Sequence, residues 1–258
     1  MRLLKEIYEY REMIFSLVRR DLRGRYKGSV LGFLWTFLNP LLQLAVYTMV
    51  FSIIMRSNIQ QYYLFLFVAL VPWIFFSTSL NGGCTCIMSN AEMVKKIYFP
   101  REVMPISFVF SCFVNMLLSF AVVFGVLLVT GYGFNPLALL FMPLIMAIEF
   151  LLALGMVLLA SALTVYFRDL AYILSIVTMA WQFLTPVMYA SSMLPEKLQV
   201  IWRLNPMTPV VEAYRAILYY KQIPDIGTLG SAFVLGLIFL GVGELTFHRL
   251  QRGFAEEM

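Results

Sequence analysis

The sequence predicts an all-α protein that crosses a membrane six times, and three observations carry that expectation. The 258 residues are 61% hydrophobic and only 13% charged, where a soluble domain is roughly half apolar and about a quarter charged. Charge is absent from long stretches: 28–55, 57–91, 103–148, 150–167, 170–195 and 226–243. These stretches approach or exceed the about 20 apolar residues with which a helix crosses the hydrocarbon core. The stretch 103–148 is too long for one crossing. It holds a strong turn signal, Thr130-Gly131-Tyr132-Gly133-Phe134-Asn135-Pro136, so it contains one span and the first half of the next. Helices satisfy their own backbone groups in lipid. A barrel would need short alternating segments, whereas these runs are apolar on every face.

The same composition excludes an ordinary water-soluble enzyme and a disordered chain. The net charge of +5 suits contact with anionic headgroups. Nucleic acid is not an expected partner, because long apolar runs separate the basic residues. Three cysteines, Cys84, Cys86 and Cys112, and a single histidine, His248, offer no zinc pattern. The cysteines are expected as free thiols. The first 27 residues hold eight Lys/Arg and no unbroken apolar core, so no cleavable signal is expected.

In chain order, residues 1–18 read as an amphipathic helix on the membrane surface. Leu3, Ile7, Tyr10, Ile14 and Leu17 recur at helical spacing. Arg19 to Lys27 is dense in positive charge. It serves as a topology signal or as a receptor for an anionic lipid-linked substrate. Six spans follow, at about 32–55, 62–82, 104–130, 137–165, 170–190 and 228–249. Fourteen of the 19 Lys/Arg fall on the side of the N-terminus and five on the other, which places both termini in the cytoplasm.

Between the second and third spans, Ser89 and Glu92 fit a capping box for a short helix over 90–98, stopped before Pro100. Such a helix, carrying Lys95 and Lys96, reads as a docking element. The outer loop, 191–227, holds two helix-like pieces, Pro195–Leu204 and Thr208–Tyr220. Thr208-Pro209 offers an N-cap and an N1 proline. The apolar residues Leu198, Ile201, Leu204, Val211, Tyr214 and Leu218 are expected to dip into the outer leaflet, as a plain loop or as an outer gate.

Glu149 lies in the middle of the fourth span, where an ionised carboxylate is costly. It reads as a proton or substrate site, or as a hydrogen bond between helices. Aromatic and amide residues recur in the first span (Phe33, Trp35, Phe37, Asn39, Gln43, Tyr47, Phe51) and the fifth (Tyr172, Trp181, Gln182, Phe183, Tyr189). They fit either a lipid-facing belt or a carbohydrate path, in which rings pack on sugar C–H faces and amides bond the hydroxyls. No phosphate-binding G-x-x-x-x-G-K-[ST] loop occurs. Active transport would therefore draw on a partner that binds ATP.

Several segments together resemble the membrane subunit of ABC-2 type polysaccharide exporters, the family that carries O-antigen, teichoic acid and related glycans. They are Asp21-Leu22-Arg23-Gly24-Arg25-Tyr26-Lys27-Gly28-Ser29-Val30-Leu31-Gly32-Phe33-Leu34-Trp35 with Asn39-Pro40, then Tyr98-Phe99-Pro100-Arg101-Glu102 and Phe167-Arg168-Asp169-Leu170. Pro186-Val187-Met188-Tyr189 and Asn205-Pro206-Met207-Thr208-Pro209 complete the set. The resemblance spans nearly the whole chain, 1–258 as a single ABC-2 type transmembrane domain. It implies no catalysis and no cofactor on this chain. It implies a homodimer with two copies of an ATPase subunit, which binds ATP and Mg, in a bacterial cytoplasmic membrane. It assigns Ser89, Asn90, Glu92, Lys95, Lys96 and Tyr98 to a coupling helix. It assigns Arg20, Arg23, Arg25 and Lys27 to the place where an undecaprenyl-pyrophosphate headgroup comes in. The first and fifth spans would line the glycan path, with Leu198, Ile201, Val211 and Tyr214 as outer gate. The rival readings are an exporter of drugs or small lipids with the same plan, a membrane glycosyl or acyl transferase, and an ion-coupled carrier.

Overall fold

The computed structural model describes residues 8–24, 28–54, 59–193 and 204–257, and among these the ordered elements are all helical. Helix α1 (Arg11–Gly24) buries Ile14 and Leu17 and exposes its charged face, as the amphipathic spacing requires. It lies along α5 (Val103–Val129). Helix α2 (Trp35–Thr48) is shorter than the expected 32–55. A tight 3-10 turn, Gly32–Leu34, leads into it, and a π-helical turn, Met49–Ile54, leads out.

Helix α3 (Tyr62–Gly83) is the hub of the bundle. Its residues from Leu64 to Val71 are all buried, the signature of a helix that is apolar on every side. It touches α2, α5, α7 (Met142–Tyr166), α8 (Leu170–Leu184) and α9 (Met207–Leu218). A short helix, α4 (Ala91–Lys96), joins α3 to α5. The predicted turn after α5 is present: Gly131 and Gly133 take φ of +63° and +71°, which glycine adopts without penalty. Asn135 then caps α6 (Pro136–Leu139), its Oδ1 accepting the Leu137 N–H at 3.0 Å. The expected span 137–165 is therefore two pieces, α6 and α7, with Leu140 and Phe141 between them.

Helix α8 stops at Leu184 and not near 190. Thr185 is extended, with ψ of 137°, because the following Pro186 disfavours helical backbone at the residue before it. The last span, α10 (Ile226–Leu250), starts on an Asp225 cap to the Thr228 N–H at 3.0 Å. It pairs most extensively with α7. Gly155 and Gly243 meet there so closely that a Cβ on either would overlap the other helix's backbone. Five stretches are long and apolar enough to cross a membrane: Gly32–Ser52, Tyr62–Gly83, Val103–Val129, Pro136–Tyr166 and Ile226–Gly253. The apolar α8 is shorter. A terminal turn, α11 (Phe254–Glu257), folds back under the inner end of α7.

Candidate functional site

One end of the bundle is organised by Asn90 at the start of α4. The expected capping box does not form: neither Ser89 nor Asn90 caps the helix by its side chain, because a 3-10 turn, Met88–Asn90, runs straight into it. Asn90 Nδ2 instead donates to the Cys86 carbonyl at 2.8 Å, and its Oδ1 accepts from Arg20 Nη2 at 2.9 Å. Arg20 thus ties α1 to α4 rather than standing among the other basic residues. Val94 anchors α4 in the core. Glu92 and Lys96 pair at 3.1 Å in solvent, and Lys95 is exposed. Ile97 and Tyr98 stand out as apolar knobs, with Tyr98 fully exposed. Arg25 and Lys27 lie outside the described residues. Arg23 does sit by a groove of about 860 Å³, together with Arg19, Phe15, Val18, Leu22, Gly32, Phe33 and Val114. Arg19 belongs to the basic segment 19–27 read as a topology signal or a receptor, though not to the four residues that the resemblance assigns, and it lies one turn before Arg23.

Behind α4 the tail is clasped to the inner ends of three helices. Arg101 donates to the Gln251 carbonyl and its guanidinium lies over the Phe254 ring at 5.7 Å. Gln251 Nε2 donates to Glu102 Oε1 at 2.7 Å, and the Tyr166 hydroxyl donates to the Leu250 carbonyl at 2.8 Å.

The aromatic residues of α2 and α8 divide into two groups. Trp35 and Asn39 are exposed on α2 and Phe33 in the 3-10 turn before it, as are Tyr172 and Phe183 on α8. Phe33 and Phe37 meet edge to face at 5.4 Å. Trp35 Nε1 donates to Ser29 Oγ at 3.1 Å, and Gln43 Nε2 to Asn39 Oδ1 at 3.1 Å. Gln182 Nε2 reaches Tyr47 Oη at 3.3 Å and links the two helices. The Tyr189 hydroxyl donates to the Phe183 carbonyl at 2.8 Å. Two residues turn inward instead. Phe51 stacks on the buried Tyr62 at 6.2 Å. Trp181 packs edge-on against Phe76 at 5.3 Å and donates from Nε1 to Asn205 Oδ1 at 2.9 Å. A helical stripe alone cannot separate these cases, because the neighbours that capture Phe51 and Trp181 lie in other helices.

Of the residues expected at the outer gate, Leu198 and Ile201 lie outside the described residues. Val211, Tyr214 and Leu218 are fully buried rather than dipping outward. The reason is that α9 re-enters the bundle and packs on α3, α7 and α10. It also starts earlier than expected. Asn205 Oδ1 accepts the Met207 N–H at 3.0 Å, and Thr208 lies within the helix. Asn205 Nδ2 donates to Thr185 Oγ1 at 2.9 Å, so this residue joins the end of α8 to the start of α9.

Two buried groups hold α9 in place. Tyr214 Oη donates to Glu149 Oε2 at 2.8 Å, so the carboxyl of the fourth span has a partner at its own depth. Arg215, 3% exposed, donates to the carbonyls of Val187 at 2.6 Å, Tyr189 at 3.2 Å and Phe65 at 3.4 Å. Its guanidinium lies 3.6 Å from the Phe65 ring centroid. Burial pulls its pKa down to about 9, so it stays cationic at neutral pH. Sequence reading counted Arg215 only as one charge of an outer loop. Its position four residues after Val211, in helical register with the apolar face, was masked by the polar-out expectation for cations. Among the described residues no three His, Cys, Asp or Glu side chains gather as a metal site needs.

The sequence is similar to those of known proteins along nearly all of its length. The family described as ABC-2 type transporter matches residues 12–219. The chain is 36% identical over 261 residues to the O-antigen export system permease protein RfbA of Myxococcus xanthus, with 100% of both chains covered. It is 33% identical over 247 residues to a protein of the same name from Klebsiella pneumoniae, covering 95% of this chain and 94% of that one. The polysialic acid transport protein KpsM of Escherichia coli is more distant, at 23% over 235 residues, with 88% of this chain and 90% of the other covered. The helical bundle, with its short α4 and its re-entrant α9, thus belongs to a membrane protein of the ABC-2 type transporter family.

Proposed function

We propose that the chain is the membrane subunit of an ATP-driven exporter of a lipid-linked polysaccharide, with undecaprenyl pyrophosphate as the lipid carrier. Two copies form the conduit, and two copies of a separate ATPase subunit, binding ATP and Mg, drive it from the cytoplasm. Both termini face the cytoplasm of a bacterial inner or plasma membrane. The observation that carries this reading is the full-length likeness to O-antigen export permeases at 36% and 33% identity. The exposed rings and amides of α2 and α8 support it, since aromatic faces and amides suit a sugar chain that must slide. Arg19 and Arg23 beside an apolar groove suit a pyrophosphate on a lipid tail. The exposed Ile97 and Tyr98 beyond α4 supply an apolar knob for the ATPase to grip.

On this reading the chain transforms nothing chemically. ATP binding closes the partner subunits, displaces α4, and through Arg20 and Asn90 moves α1 with it. The test is export in vesicles holding the complete transporter with its lipid-linked glycan. Export must require ATP and stop when the partner's hydrolysis is disabled. Export by this chain alone, driven by an ion gradient, would overturn the proposal. Transport of a small drug in place of the glycan would favour the rival exporter reading.

A further inference from the structure

A pocket of about 110 Å³ opens between α2, α3 and α5. Trp35, Asn39 and Thr78 are the exposed members of its lining and form its mouth. Thr36 and Ser119, both buried, lie deeper, with Asn115 beside them. Asn115 Oδ1 is buried and accepts no hydrogen bond from the described residues. Ser119 Oγ is occupied with the Asn115 carbonyl at 2.9 Å. A buried amide oxygen without a donor is costly, so the pocket is shaped for a ligand that brings an O–H.

The mouth lies on α2 and α3. Both α2 and α8 pack on α3. Thr78 lies one turn before Asn81, whose Oδ1 accepts from Thr178 of α8 at 3.1 Å. Farther out, Gln182 and Tyr47 bridge the two helices. Trp35 and Asn39, at the mouth, belong to the exposed face of α2 that the proposed function assigns to the glycan path. Its volume has room for about three water molecules. That is too small for a sugar ring and comparable to a hydroxymethyl group with one adjoining hydroxyl. Trp35 at the mouth offers an aromatic surface for ring C–H groups.

We infer that this pocket is a saccharide subsite that takes the hydroxymethyl edge of one sugar unit of the passing chain. Asn115 Oδ1 accepts from the sugar hydroxyl, Asn39 stands at the rim, and Trp35 covers the C–H face. Water fills the pocket between sugar units. The inference rests on the proposed export of a polysaccharide and adds a side pocket in one protomer to the walls of its path.

The experiment uses cells carrying the complete transporter with Thr78→Cys, in one strain that makes its glycan and one that does not. The partner ATPase is a variant that binds ATP without hydrolysing it, so that the glycan is arrested in transit. Labelling by a small anionic methanethiosulfonate is followed, with the parent chain giving the background from Cys84, Cys86 and Cys112. The expected result is labelling severalfold slower in the glycan-producing strain. Adding Asn115→Leu is expected to restore fast labelling, and with the active ATPase to lower surface glycan about fivefold, the weight of one neutral hydrogen bond. Equal labelling in the two strains, or none in either, overturns the subsite, and this comparison does not depend on the Asn115 variant folding. If surface glycan is unchanged when the whole chain is deleted, the export reading itself has failed. If glycan export needs the chain while Thr78→Cys labels equally, only the subsite has failed.

Discussion

Replacing Arg215 by methionine tests how α9 is fixed. The substitution keeps most of the side-chain volume and removes the buried cation. It leaves the carbonyls of Val187 and Tyr189 without the donors that reach them at 2.6 and 3.2 Å. The bond to the Phe65 carbonyl is long, at 3.4 Å, and adds little. An unsatisfied buried acceptor costs about 1–3 kcal/mol, so two cost roughly 2–6 kcal/mol. Loss of the cation over the Phe65 ring adds about 2 kcal/mol in a desolvated setting. Relief of the guanidinium's own desolvation offsets several kcal/mol. The net expectation is a destabilisation of about 3 kcal/mol, which for a chain of this size lowers Tm by roughly 6–12 °C. The assay is thermal unfolding in detergent followed by tryptophan fluorescence. Arg215→Lys retains the charge without the planar fork and should fall between parent and methionine variant. A methionine variant within about 2 °C of the parent, well inside the roughly 6–12 °C expected, would refute the role assigned to Arg215. The pH dependence carries its own sign. The folded pKa is lowered to about 9 by burial, so the unfolded chain holds the extra proton above that pH. This group's contribution is therefore flat from pH 6 to 8 and becomes more favourable, not less, above about 9.

Other substitutions separate packing from transport. Tyr214→Phe leaves Glu149 buried without its donor and should cost about 1–3 kcal/mol in the same melts; the added change Glu149→Leu should recover part of it. Trp181→Ala removes a ring packed on Phe76 and should lower stability by about 3–5 kcal/mol, whereas Trp35→Ala should leave the melt nearly unchanged and reduce glycan export. Arg20→Ala and Asn90→Ala should be non-additive in ATP-driven export, because each removes the same link between α1 and α4; additive losses in a double-mutant cycle would show that the link carries no signal. Gly243→Leu forces α10 away from Gly155 and should abolish stable expression, measured as the monodisperse fraction in detergent.

Apolar run length was enough to place α3 and α5 within a few residues, because uninterrupted charge-free sequence and helical length are the same constraint in lipid; α7 and α10 were legible despite the single carboxylates Glu149 and Glu244 within them. The end of α8 was legible in principle from Pro186, but the apolar run continues past it to Pro195 and hid the break. The partners of Glu149 and Arg215 were not legible. Tyr214 lies 65 residues from Glu149, and the carbonyls around Arg215 belong to segments whose approach is set by tertiary packing. The same holds for Asn90, which local pattern assigns to a cap and the bundle assigns to Arg20. Of the aromatic stripes, sequence found the helices that bear them but could not distinguish Trp35, at the surface, from Trp181, held by Asn205.

The brevity of α8 has a consequence for the surrounding lipid. Its 15 residues rise only about 22 Å, against a hydrocarbon slab about 30 Å thick. Acyl chains beside it must shorten or splay, at a fraction of a kcal/mol for each ångström of mismatch. In the proposed dimer, two such helices brought face to face would share one dimple in the bilayer instead of making two, and the elastic energy of the membrane would then favour their meeting along this edge.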